Sequence, residues 1–121
     1  MASVKYRGVL FDLLTALLDS WSVWDAAAGG VEPGRKWRAA YLRKTYQTGR
    51  YRPYEDLVAE AASESGMARE APARLFSLWR DIRPWPDAKA VLEGIRGRVP
   101  MAVVTNCSEH LGRIAVNAVG V

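Results

Sequence analysis

The sequence predicts an α/β chain in which two short strands pair in parallel across a long helical stretch. Two runs carry the strands. Residues 9–11 are Val, Leu and Phe, residues 99–104 read VPMAVV, and each run ends in a polar cluster. Between them the apolar residues recur at helical spacing, with glycine or proline at every break. Finally, 121 residues and 13.4 kDa allow one compact domain. Surface scaling gives a chain of this mass about 6,500 Å² of folded surface against about 19,000 Å² unfolded, enough burial for a core without staples.

The elements follow in order. The first strand is expected to be buried on both faces, as continuous apolar strands of parallel sheets are, and it runs into Asp12. Residues 19–28 form a first helix stopped by Gly29-Gly30. Residues 35–47 form a second, with Trp37, Ala40 and Tyr41 on one side and Gly49 beyond it. Pro53 opens a third, with Leu57, Val58, Ala61 and Ala62 as its apolar stripe. A fourth follows Pro72 and carries Leu75, Phe76, Leu78, Trp79 and Ile82. Residues 83–87, RPWPD, are a proline-stiffened break. Asp87 is expected to cap a helix that buries Ala88, Val91, Leu92 and Ile95. After the second strand, Ser108 caps a last helix with Leu111, Ile114, Ala115 and Ala118 inward and Gly120 as its stop.

Composition narrows the function classes. A single cysteine, Cys107, excludes a disulfide framework or a thiolate zinc site from this chain alone, and a single histidine, His110, excludes any two-imidazole site. No apolar run is long enough for a membrane span, and the first residues lack a signal-peptide core, so a reducing, cytoplasmic setting is expected. Seventeen Lys and Arg against 13 Asp and Glu leave +4, compatible with an anionic ligand.

If the strands pair in parallel, Asp12 and the Thr105-Asn106 pair become neighbours at the strand ends, where open α/β sheets bind ligands. A carboxylate there can act as a nucleophile, and adjacent hydroxyl and amide groups can orient it or hold an anion.

Residues 9–19, VLFDLLTALLD, and 102–108, AVVTNCS, resemble the first and second motifs of the haloacid dehalogenase-like (HAD) hydrolase superfamily. Residues 83–95, RPWPDAKAVLEGI, resemble the linker and helix that return from that family's helical cap. The resemblance implies a Rossmann-like parallel-sheet core, incomplete here, at residues 1–15 and 85–121, with an α-helical cap inserted at 16–84. Phosphatases of the superfamily carry a second Asp two residues after the nucleophile; here Leu14 stands there and cannot donate a proton. An apolar residue at that place and the Thr105-Asn106 pair resemble the 2-haloacid dehalogenases, which need no metal or other cofactor. Residues 41–57, YLRKTYQTGRYRPYEDL, resemble their arginine-bearing cap stretch, which maps the arginine to Arg43.

What this implies is displacement of halide by Asp12 through an ester intermediate. Arg43 and Asn106 take the halide, while Thr105 and the backbone N–H groups of Leu13 and Leu14 hold the substrate carboxylate. Trp21, Trp24, Trp37 and Tyr41 either wall a dry cavity or simply pack helices. The implied partner is a small anionic substrate such as a 2-haloacid, with no membrane or nucleic acid. A homodimer, or completion by a further C-terminal segment, is the expected assembly.

The chain departs from the family pattern in three places. Thr15 and Ala16 stand where Gly and Thr are usual, so a hydroxyl moves by one residue. No Lys or Arg lies suitably far downstream of Asn106, and the acidic final motif has no counterpart. The chain is therefore expected to be the front half of such a hydrolase and inactive, or nearly so, by itself. Other readings are a HAD phosphatase using Mg²⁺ and a basic-aromatic nucleic-acid-binding module. The latter rests on residues 35–52, which hold seven basic and no acidic side chains among Trp37, Tyr41, Tyr46 and Tyr51. A Cys107 nucleophile helped by His110 is a further alternative.

Overall fold

The computed structural model describes residues 5–120. Strand β1 (Val9–Asp12) pairs in parallel with β2 (Met101–Val104), in a register that sets Val9 opposite Met101 and Asp12 opposite Val104. Between them lie α1 (Ser20–Ala28), α2 (Val31–Gln47), α3 (Tyr54–Glu64), α4 (Ala71–Leu78) and α5 (Ala88–Ile95), with a 3₁₀ turn at Trp79–Asp81. Helix α6 (Glu109–Val119) follows β2. Residues 1–4 and 121 of the expected core segments lie outside the described residues.

Local chemistry sets the helix ends. The Asp19 carboxylate accepts the Ser22 N–H at 3.1 Å to open α1, and Ser108 Oγ accepts the Leu111 N–H at 3.2 Å to open α6. Gly29 closes α1 with φ 86°, a conformation open to glycine at little cost. The C-terminal Ala27 carbonyl of α1 then receives two N–H groups of the Arg74 guanidinium, at 3.0 and 3.1 Å. Helix α2 begins four residues earlier than its apolar stripe suggests. Pro33 fits within its first turn, and Gly34 lets α1 approach closely: a Cβ there would stand 2.9 Å from Asp25 Cα.

Helices α1 to α4 pack around a row of aromatic rings. Trp37 meets Trp24 edge-on at 4.8 Å, Trp24 lies 5.7 Å from Tyr41, Tyr41 lies 5.1 Å from Tyr54, and Tyr54 lies 6.1 Å from Trp79. Both buried indole N–H groups find carbonyls at 2.9 Å, Trp37 on Val58 and Trp79 on Leu111. The second bond ties the helical segment to α6. Two stretches connecting the helices to the sheet are also laced together: Leu18 bridges Pro84, Asp19 N–H donates to Arg83 O at 2.7 Å, and Trp85 N–H donates to Leu17 O at 2.9 Å.

The sheet departs from expectation. A strand buried on both faces is predicted at β1, yet burial alternates and Leu10 is 72% exposed. With only two strands among the described residues, the Leu10 face of β1 is left uncovered there. Val103 and Val104 are likewise exposed on β2. The chain exposes 8107 Å², roughly a quarter more than the surface expected for its mass. Helix α5 buries Ala88 and Leu92, but Val91 is exposed, and Asp87 occupies the cap position without a side-chain hydrogen bond. Among the described residues no helix is long and apolar enough to cross a membrane.

Candidate active site

Parallel pairing brings the two polar strand ends together. Asp12 closes β1 opposite Val104, and Thr105 and Asn106 follow immediately on the neighbouring strand. A cavity of about 390 Å³ lies there, with Asp12, Leu14, Thr15, Thr105 and Asn106 on the sheet side. Helices α1, α2 and α3 supply Ser20, Trp21, Trp24, Arg38, Tyr41, Leu42, Thr45, Tyr46 and Tyr54 on the other. The Tyr41 hydroxyl reaches across to Asn106 O at 3.4 Å.

The Asp12 carboxylate is held at one oxygen. Oδ2 accepts the Thr15 hydroxyl at 2.8 Å, the Thr15 N–H at 3.3 Å and the Ala16 N–H at 3.2 Å. Among the described residues none of these bonds falls on Oδ1. Burial alone would raise the pKa, but these donors, with the Leu13 N–H, outweigh it and hold the group below the ordinary 3.8. The carboxylate is therefore ionised throughout the neutral range, with one oxygen pinned. Thr15 supplies the only hydroxyl bonded to this oxygen among the described residues, and the Trp85 indole fixes this turn by donating to Thr15 O at 2.8 Å.

The predicted site residues separate into those that meet and those that do not. Asp12, Leu14, Thr105 and Asn106 share the cavity. Leu13 is fully buried with its side chain in the core, and its carbonyl accepts the Leu17 and Leu18 N–H groups at 3.2 and 3.1 Å. Arg43 does not meet the cavity: it is exposed on α2 and absent from the lining. The cation in the wall is Arg38. Residues 38, 41, 42 and 45 form an i, i+3, i+4, i+7 stripe, and all four line the cavity, whereas position 43 falls about 140° round the helix from position 38. That stripe is legible in the sequence once Tyr41 is placed inward.

Arg38 is half-buried, its Cζ lies 3.8 Å from the centre of the Trp21 ring, and its Nη1 donates to Ser20 Oγ at 3.3 Å. Burial pulls the guanidinium pKa down, with the phenols of Tyr54 and Tyr41 and the charges of Asp12 and Asp25 pulling the other way; the group stays cationic. Among the described residues no carboxylate forms an ion pair with it. Trp24 and Tyr41 line the cavity and pack the helices at once, while Trp37 is wholly core.

The remaining candidates find other surroundings. Burial pushes the Cys107 thiol pKa up, and no hydrogen bond joins it to exposed His110, so the pair lacks the thiolate a cysteine nucleophile needs. The basic run of residues 35–52 is divided: Lys44 pairs with Glu64 at 2.5 Å and Arg52 with Glu60 at 2.8 Å, while Arg38 turns into the cavity. Its aromatics divide too, with Trp37 and Tyr41 buried and Tyr46 and Tyr51 exposed. Among the described residues no group of three His, Cys, Asp or Glu side chains could hold a metal ion, and Leu14 brings no second carboxylate beside Asp12.

No protein-family profile matches the chain, and no curated sequence does. Solved structures do. The L-2-haloacid dehalogenase from Xanthobacter autotrophicus, solved with chloropropionic acid covalently bound, is similar at 22% identity with a TM-score of 0.78, over 94% of this chain and 52% of that one. A second dehalogenase reaches 0.78 at 21% identity, over 97% of this chain and 58% of its own. A defluorinating L-2-haloacid dehalogenase gives 0.74 at 21%, over 94% and 56%. The chain therefore has the α/β fold of these enzymes and spans a little over half their length.

Proposed function

We propose that this chain carries the nucleophile half of a 2-haloacid dehalogenase site, with residues 16–84 as a cap over a core formed by 1–15 and 85–121. The observation that carries the reading is the convergence of an ionised, one-side-pinned Asp12 and a half-buried Arg38 without an ion pair on a single cavity. The fold shared with structures named L-2-haloacid dehalogenases supports it.

In this reading Asp12 Oδ1 attacks the halogen-bearing carbon. The new C–O bond forms as the carbon–halogen bond breaks, and the halide departs with the bonding pair toward Arg38 and Asn106. Thr105 and the Leu14 N–H hold the substrate carboxylate. Arg38 takes the part that the motif resemblance gave to Arg43. Water then adds to the Asp12 carboxyl carbon and expels a 2-hydroxyacid, so each turnover releases one halide and one proton. The aromatic and leucine wall limits hydration of the nucleophile, and Arg38 offsets the charge that develops on the leaving atom. No metal enters any step. Leu14 favours this reading over a phosphatase, which needs a proton donor at that place. A reducing cytoplasm, where Cys107 stays a thiol, is the proposed setting.

The test separates the first chemical step from turnover. Incubated with 2-chloropropionate, the chain is expected to release about one halide per molecule. The peptide containing Asp12 should gain the mass of the carboxyethyl group, with little further turnover, and Asp12→Asn should abolish both. A folded wild-type chain that releases no halide and gains no mass overturns the proposal, as does an adduct that persists in Asp12→Asn.

A further inference from the structure

Arg38 is unusual among the cations here because its surroundings hold it without neutralising it. Its guanidinium lies over the Trp21 ring at 3.8 Å, one N–H is directed to the buried Ser20 hydroxyl, and among the described residues no carboxylate pairs with it. Lys44, Arg52 and Arg113 instead meet carboxylates at 2.5 to 2.8 Å. Arg35 also lies near Trp21, but at 5.8 Å and outside the cavity lining. Trp21 is itself 39% exposed and lines the cavity, so one face carries the guanidinium while part of the ring remains open to solvent. A cation held over an aromatic face at 3.8 Å gives up no hydrogen bond to the ring, so this contact restrains the guanidinium and leaves N–H groups available.

We propose that Trp21 is a positioning residue: with Ser20 it clamps Arg38 so that the guanidinium edge is presented to a small anion, a halide or a short haloacid carboxylate, in the Asp12 cavity. This rests on the dehalogenase reading for its place in a reaction, but the clamp itself requires only that an anion binds. Ser20 fixes one end of the guanidinium by a hydrogen bond, and the indole fixes its plane. The affinity gained is the rotamer freedom that Arg38 no longer loses when the anion arrives. An aromatic ring of another kind preserves the stack in part, and an aliphatic side chain of similar bulk does not.

The experiment titrates bromide and, separately, chloroacetate into the Asp12→Asn chain by calorimetry at low ionic strength. It is then repeated with Trp21→Phe, Trp21→Leu and Arg38→Gln added, with circular dichroism following the fold of each. Binding to the parent is expected to vanish in Arg38→Gln, to weaken roughly three- to tenfold in Trp21→Leu, and to weaken less in Trp21→Phe. Equal affinities for Trp21→Leu and the parent overturn the clamp, as do equal losses in the leucine and phenylalanine variants. Absence of any anion binding in the folded parent also overturns it. If Trp21→Leu does not fold, the ratio between parent and Trp21→Phe decides, and no difference there overturns the proposal. Binding with the expected ranking, alongside a folded wild-type chain that releases no halide from 2-chloropropionate, keeps the clamp and sinks the dehalogenase reading instead.

Discussion

The helical segment α1–α4 is much more polar in sequence than the two-stranded sheet, yet it buries its apolar residues more completely. In the helices, each apolar stripe finds another helix, and the aromatic row from Trp37 to Trp79 is buried with the indole N–H groups of Trp37 and Trp79 bonded. In the sheet, Leu10, Val103 and Val104 remain exposed, because two strands supply two faces and this chain has helices against only part of them. Local hydrophobicity is thus a request for burial, and whether it is met depends on how many elements are available to answer.

That contrast can be broken at several points. Trp37→Ala removes the centre of the helical packing and its bond to Val58 O, and is expected to cost about 3–5 kcal/mol, read by urea unfolding; a loss near zero would show that the aromatic row is not what holds the helices. Gly34→Ala forces α1 and α2 apart against the Asp25 backbone and is expected to cost about 1–3 kcal/mol, with the same readout.

A smaller effect is expected at Asp25, whose Oδ1 is buried without a partner. Burial raises its pKa above 3.8, only partly offset by Arg35 and Arg38. The native state then holds this proton more tightly than the unfolded one, so its contribution falls as pH rises from 3.8 through the raised native value. Asp25→Asn should flatten that slope and raise the melting temperature at pH 7; an unchanged pH profile would show that the carboxylate is relieved by solvent. Asp12 has the opposite sign: its contribution is complete above pH 3.8 and is lost as pH falls through the depressed native value. Leu10→Thr, on the uncovered sheet face, is expected to change stability by no more than about 0.5 kcal/mol. A large loss there would mean that the sheet face is covered in solution. Hydrogen exchange sharpens the same comparison, since β1 and β2 amides are expected to exchange before those of α2 and α3.

Most of the element plan was legible because it is written in local chemistry. Asp19 and Ser108 announce helix starts through side chains that accept backbone N–H groups, and Gly29 and Gly120 announce stops through left-handed backbone. Helix α2 starts ahead of the expected residue 35 because proline belongs in a first turn and Gly34 answers to a neighbour in space. The exposure of Val91 and Leu10 was missed for a related reason: an apolar pattern identifies the face that seeks cover without showing that cover exists. At the site, the meeting of Asp12, Thr105 and Asn106 follows from strand ends and pairing direction, whereas the placement of Arg38 in the cavity wall and of Arg43 outside it depends on the phase of α2, which a motif does not carry.

The sequence by itself determined where the strands and helices lie, that a carboxylate and a hydroxyl–amide pair end the two strands, and that no second acid follows Asp12. These are properties of neighbouring residues, fixed by periodicity, capping and backbone sterics. Only the tertiary structure decided which cation faces the carboxylate, that Thr15 holds Oδ2 in place of a hydroxyl at Ala16, and which apolar faces stay uncovered. Each of these depends on rotation and distance between elements far apart in the chain, and small differences in helix phase exchange one arginine for another.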